Sequence, residues 1–175
     1  MPPISNKQRG KYFEEKITSY YRKIFELSNL QCFRSGSSGA RISIELTGDI
    51  TFTDPKAYPI ITECKYRKDI NLTDFFPICN SEIDTWIEQS DRQYELFVTN
   101  IKEIKPLKVL IVGKPYLSIP WVVILNDIDD INLTCSKVFQ SNYLIFSSKK
   151  YDKRFLLTTL DNLIEIFFTW NLMKE

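Results

Sequence analysis

The chain has no histidine among its 175 residues. That absence removes serine–histidine and cysteine–histidine nucleophilic catalysis, and histidine-ligated zinc, from the chemistry open to it. It has four cysteines, Cys32, Cys64, Cys79 and Cys135, and none forms a C-x-x-C pair. That spacing argues against a zinc site or a disulfide framework and reads as free thiols, buried like small apolar side chains. No apolar run is long enough to cross a bilayer, and the first twenty residues are polar with no secretory pattern. The expectation is an intracellular, cytoplasmic protein with no membrane partner. Neither sign of charge dominates, with 23 Lys and Arg against 22 Asp and Glu. Nucleic-acid-binding chains are often basic, so the total by itself gives that partner no support.

The charges that are present are unevenly spread. Lys7, Arg9, Lys11, Lys16, Arg22 and Lys23 crowd the N-terminal segment, while Asp127, Asp129 and Asp130 gather far from it. A basic face set against an acidic edge attracts a phosphate backbone even at near-zero net charge. Hydrophobic residues make up 43% of the chain, enough for residues 1–175 to form a single domain around a full core. Any enzyme built on this chain must work with carboxylates, lysine, hydroxyls and a hard metal ion.

Residues 8–27 read as a helix, with Phe13, Ile17, Tyr20, Tyr21, Ile24 and Leu27 as its apolar stripe and Glu14 at the stripe's edge. Residues 30–34 read as a short strand. The serine- and glycine-rich run 35–41 reads as a loop, flanked by Arg34 and Arg41. Residues 48–53 and 59–66 read as two central strands joined by an Asp54-Pro55 turn. A second helix is expected over 81–98, with Ile83, Trp86, Ile87, Tyr94 and Phe97 facing the core. Apolar β-type runs follow at 107–112, 121–125 and 143–146, then a closing helix over 159–173. The expected fold class is α/β, a mixed central sheet flanked by helices.

Asp49 lies in Gly48-Asp49-Ile50-Thr51-Phe52-Thr53, and Glu63 follows fourteen positions later in Ile60-Ile61-Thr62-Glu63-Cys64-Lys65-Tyr66. Strand side chains alternate faces, so Glu63 and Lys65 point the same way. An isolated acid-x-Lys triplet is commonly an ion pair on a solvated face. This one follows Ile60-Ile61 in what reads as a central strand, where unpaired charge is costly. Two carboxylates on neighbouring strands can hold magnesium or manganese against a phosphodiester. Asp49 and Glu63 fit as direct ligands, the Cys64 backbone carbonyl as a third, and Glu14 as a ligand through water. Lys65 fits as the group that orients or deprotonates the attacking water, or offsets charge in the transition state. The pattern reads as a metal-dependent nuclease.

In order along the chain, Arg9-Gly10 with Glu14, Phe33-Arg34-Ser35-Gly36-Ser37-Ser38-Gly39, Gly48-Asp49-Ile50 and Glu63-Cys64-Lys65-Tyr66-Arg67-Lys68 resemble the archaeal-type Holliday junction resolvases of the PD-(D/E)xK nuclease superfamily. Trp86-Ile87-Glu88-Gln89 resembles the helix that follows the lysine strand in that family. The likeness spans residues 7–97, and residues 98–175 are additional strands and a closing helix beyond it. Gly48 stands where the family has proline. The resemblance implies a restriction-endonuclease-like core with Glu14, Asp49, Glu63 and Lys65 at catalytic positions. It implies that Ser38 lies near the scissile phosphate and that Gln89 braces the site. It further implies a homodimer that cuts opposed strands of a four-way DNA junction with magnesium or manganese. Arg9, Arg34, Arg41, Arg67 and Lys68 are the candidate DNA contacts. Residues 121–125, or the helix carrying Phe167 and Trp170, are the expected dimer surface. Two alternatives stay open: a restriction-type or repair endonuclease on the same core, and a non-catalytic DNA-binding protein on the same fold. The acids facing phosphate speak against the second, because a binder has no need of them.

Overall fold

The computed structural model describes residues 5–35, 48–75, 81–102, 104–130, 143–148 and 150–172. Helix α1 (Asn6–Ile24) starts before its apolar stripe does. Ser5 and Gln8 form a capping box: the Ser5 hydroxyl accepts the Gln8 N–H, and the Gln8 side-chain oxygen accepts the Ser5 N–H at 2.9 Å. The helix also ends before Leu27. Glu26 adopts a left-handed φ of 54°, and the Leu27 N–H donates back to the Arg22 carbonyl at 2.9 Å, which closes the C-terminus.

The described strands are β1 (Cys32–Arg34), β2 (Ile50–Phe52), β3 (Ile60–Tyr66), β4 (Leu107–Gly113), β5 (Trp121–Ile124), β6 (Leu144–Ser148) and β7 (Lys153–Thr158). They form one mixed sheet in the order β1-β2-β3-β4-β5-β7-β6. The β3–β4 pair is parallel, and α2 (Ser81–Asn100) supplies the crossover that a parallel pair requires. Strand β7 has no sequence counterpart in the apolar runs, because it opens with Lys153 and Arg154 after a polar turn. Asp152, at φ 48°, closes that turn, and β7 folds back from β6 to pair with β5. Helix α3 (Leu160–Leu172) ends the described chain.

Alternation along the strands sorts two layers. Val109, Ile111, Val122, Ile124 and Leu156 join a core with Phe13, Ile17 and Tyr21 of α1 and with Leu163, Ile166 and Phe167 of α3. Leu110, Val112, Val123 and Leu157 join a second core with Ile83, Trp86 and Ile87 of α2. On β3, Ile60 and Cys64 belong to the first core, and the Thr62 hydroxyl shares a 3.0 Å hydrogen bond with the Tyr21 hydroxyl there. Glu63 and Lys65, one step out of phase, face α2.

The expectation that residues 121–125 form a dimer surface is overturned. β5 is an interior strand between β4 and β7, and residues 122–125 are buried inside the protein. Phe167 and Trp170 are buried as well, with the Trp170 indole donating to the Lys105 carbonyl at 3.0 Å. On α3, Phe168 is the large apolar side chain left exposed among the described residues. Cys32 and Cys64 are free and buried; Cys79 and Cys135 lie outside the described residues. Among the described residues, no helix is long and apolar enough to cross a membrane.

Candidate active site

The two strands that carry the acids are locked by register. Ile50, the first residue of β2, lies opposite Thr62, so the residue just before the strand, Asp49, falls opposite Glu63. Gly48 makes this approach possible. Its φ of 88° is closed to proline, and a Cβ there would meet the Thr62 carbonyl oxygen at 2.6 Å. Glycine in place of proline is therefore a different way into β2, one that presses the chain against β3. The Asp49 N–H donates to the Thr62 carbonyl at 2.8 Å, and Asp49 Oδ2 accepts the Cys64 N–H at 2.7 Å. The N–H and C=O of one strand residue point to the same side, so the Cys64 carbonyl also faces Asp49.

Glu63 is 1% exposed. A buried carboxylate needs partners, and it has them on both oxygens. Oε1 is ion-paired with Lys65 Nζ, and Oε2 accepts from Gln93 Nε2 at 3.0 Å. Lys65 Nζ also donates to Gln89 Oε1 at 3.2 Å. Gln89 and Gln93 are one helical turn apart on α2, so one face of that helix reaches both members of the pair. Gln93 Oε1 is buried with no hydrogen-bond partner among the described residues. On the other flank, Glu14 of α1 pairs with Arg34 of β1 at 3.2 Å.

These groups line one open cavity of about 460 Å³, with Glu14, Arg34, Ser35, Asp49, Glu63, Cys64, Lys65, Arg67 and Gln89 in its wall. Lys11 and Lys7, about one turn and two turns before Glu14, complete its cationic rim. Burial, and next the charge of Glu63, push the Asp49 carboxyl up from 3.8 to about 7. The Cys64 N–H and Lys65 oppose that rise without cancelling it. Burial likewise raises the Cys64 thiol, whose side chain lies on the opposite face of β3.

Not every sequence candidate joins the cavity. Arg9 opens onto a different groove, and Lys68 is exposed beyond the cavity wall. Arg67 lies at the rim, ion-paired with Glu82 and stacked 5.7 Å over the Trp86 ring. Ser38 and Arg41 lie outside the described residues. Sequence reasoning missed Gln93. Its signal was the four-residue spacing from Gln89, which becomes informative only once α2 is known to face β3.

The donor set is hard: two carboxylates and a backbone carbonyl, with no imidazole or thiolate aimed into the cavity. Such a set suits magnesium or manganese, which take oxygen ligands and keep several waters. Among the described residues no three acidic, cysteine or histidine side chains converge into a ready-made cage. The fit is with an ion held by few protein ligands, consistent with an Asp49 whose charge the neighbouring Glu63 disfavours. Each carboxylate oxygen of Glu63 has a second lone pair, so its present hydrogen bonds do not block ligation.

One comparison with known proteins gives a match. The model of a family described as "Phage putative PDDEXK endonuclease" covers residues 5–173. No curated protein and no solved structure matches the chain.

Proposed function

The chain belongs to the phage PDDEXK endonuclease family, and from that premise we propose that it is a magnesium-dependent endodeoxyribonuclease, with manganese as a substitute. The observation that carries this reading is the half-buried Asp49 opposed to the buried Glu63, beside Lys65 in a cavity rimmed by cations. Asp49, Glu63 and the Cys64 carbonyl would hold the ion, and Glu14 would reach it through water. When bound, the ion polarises the scissile phosphate and acidifies an attacking water. Lys65, steadied by Gln89, orients that water or offsets the charge that grows on the phosphate. Gln93 holds the second oxygen of Glu63 and so fixes the carboxylate's rotation. Lys7, Lys11, Arg34 and Arg67 contact phosphates along the strand being cut. By the resemblance Ser38 acts near the scissile phosphate, and Arg41 is a further phosphate contact.

For the substrate, the resemblance favours a four-way junction cut by a homodimer, since a two-fold assembly offers two sites for two opposed strands. A restriction-type or repair endonuclease is the second reading, and a specific observation favours it. The family match runs through residues 98–173, and strands β4 to β7 continue the same sheet, whereas the resolvase likeness stops at residue 97. The test is cleavage of four-way junction, fork and linear duplex DNA side by side, with magnesium and with EDTA. Junction-selective, magnesium-dependent cutting by a dimer supports the first reading. Equal cutting of junction and duplex by a monomer removes it and leaves the nuclease standing. Full cleavage in EDTA would overturn the metal assignment.

A further inference from the structure

A second cavity, about 240 Å³, opens on the neighbouring face of α1. Helix α1 turns residues 7, 11 and 14 toward the active-site cavity and residues 9, 12 and 16 toward this one. Both sets follow helical spacing, so the helix is a ridge between two grooves. Tyr66, at the end of β3, lines both cavities and joins them.

The chemistry of the second groove differs from that of the first. Arg9, Lys16 and Lys114 line it, and no acid is among its lining residues. Arg9 and Lys16 make no ion pair among the described residues. Lys114 Nζ is fixed by neutral partners, the Ile70 carbonyl at 2.9 Å and Asn71 Oδ1 at 3.0 Å, so its charge is left uncancelled. Between these cations stand two tyrosines that give up little surface to the core. Tyr12 is 78% exposed and Tyr116 is fully exposed. Tyr116 occupies the third position of a turn closed by Leu117 N–H to Lys114 carbonyl at 3.1 Å, with φ 67°. Glycine or asparagine is the usual residue there, and a tyrosine is strained without any packing in return.

Free cations interleaved with exposed aromatic faces, and no acids, are the recognition chemistry of unpaired nucleotides. We propose that this groove holds an unpaired nucleotide of the DNA substrate, its base stacked on Tyr12 and Tyr116 and its phosphates held by Arg9, Lys16 and Lys114. The identity of the ligand rests on the nuclease reading above. Because Tyr66 connects the grooves, a strand cut in the first continues into the second, and the enzyme acts where duplex meets single strand.

The test measures binding by fluorescence anisotropy in EDTA, with the full chain and three DNAs: a blunt duplex, the same duplex with a short single-stranded tail, and that tail made abasic. The tailed duplex binds about tenfold tighter than the blunt one, since one stacked base contributes on that scale. The abasic tail loses most of this gain. Tyr12→Ala and Tyr116→Asn lose it too, while their affinity for the blunt duplex and their magnesium-dependent cleavage of it stay at the wild-type level. Asparagine is chosen at position 116 because it tolerates the left-handed turn. No gain from the tail, an equal gain from the abasic tail, or an undiminished gain in both variants overturns the proposal. Cleavage without tail preference sinks this inference alone, whereas tail preference without any metal-dependent cleavage sinks the nuclease reading alone.

Discussion

Replacing Asp49 by asparagine should make the metal-free protein more stable while removing its activity. The substitution keeps size and shape, and the asparagine Oδ1 still accepts the Cys64 N–H. What it removes is a charge that the fold disfavours. The carboxyl is pushed from 3.8 to about 7, first by burial and then by Glu63. The folded protein therefore holds this proton up to about pH 7, and the unfolded chain only to 3.8. Below the lower value the group has no effect on stability. Stability then falls as pH rises between the two values and stays low above the upper one. The gap of roughly three pH units, at ~1.4 kcal/mol each, sets a ceiling of about 4 kcal/mol. Water reaching the open side of the carboxylate reduces that to about 2 kcal/mol. For a chain of this length that is a rise in midpoint of roughly 4–8 °C. Thermal unfolding in EDTA, followed by circular dichroism at pH 8 and at pH 4, reads it directly. The variant should lead at pH 8, and the lead should close toward pH 4. Magnesium should stabilise the wild type more than the variant. A variant less stable than wild type at pH 8, or a lead that does not change with pH, would refute the account of two acids held together against their own repulsion.

Lys65→Ala should slow cleavage by about a hundredfold or more while DNA binding persists, checked by single-turnover rates beside gel-shift affinity. Gly48→Ala should destabilise the protein by about 1–3 kcal/mol in urea unfolding, because the side chain meets the Thr62 carbonyl at a φ alanine rarely takes. Its cleavage rate should fall with the displacement of Asp49. Arg34→Ala and Arg41→Ala should each flatten the salt dependence of DNA binding by about one unit of slope; an unchanged slope in both would place them off the DNA. Ser38→Ala should slow cleavage and leave stability within about 0.5 kcal/mol.

What the sequence determined by itself is whatever a local period can write. The two-residue alternation of β3 put Glu63 and Lys65 on one face, and the stripe of Phe13, Ile17 and Tyr21 marked the buried side of α1. Two carboxylates on neighbouring strands and the mixed sheet with helices were legible from such runs, and the register that opposes the carboxylates was not. A period cannot say which layer covers a face, and that was left to tertiary structure. Only the packing of α2 on β3 made Gln93 a partner of Glu63. Only the pairing of β2 with β3 turned Gly48 from a tolerated exchange into a required left-handed contact. Strand β7 escaped because its charged opening, Lys153 and Arg154, breaks the apolar pattern, and only pairing with β5 and β6 on its two sides makes it a strand. The surface expected for a dimer at residues 121–125 proved interior for the same reason: an apolar run reports that it will be buried, and not by what. Arg9 and Lys11 are equivalent as charges in the sequence. The rotation of α1 against the sheet decided which of the two faces the acids and which faces the tyrosines.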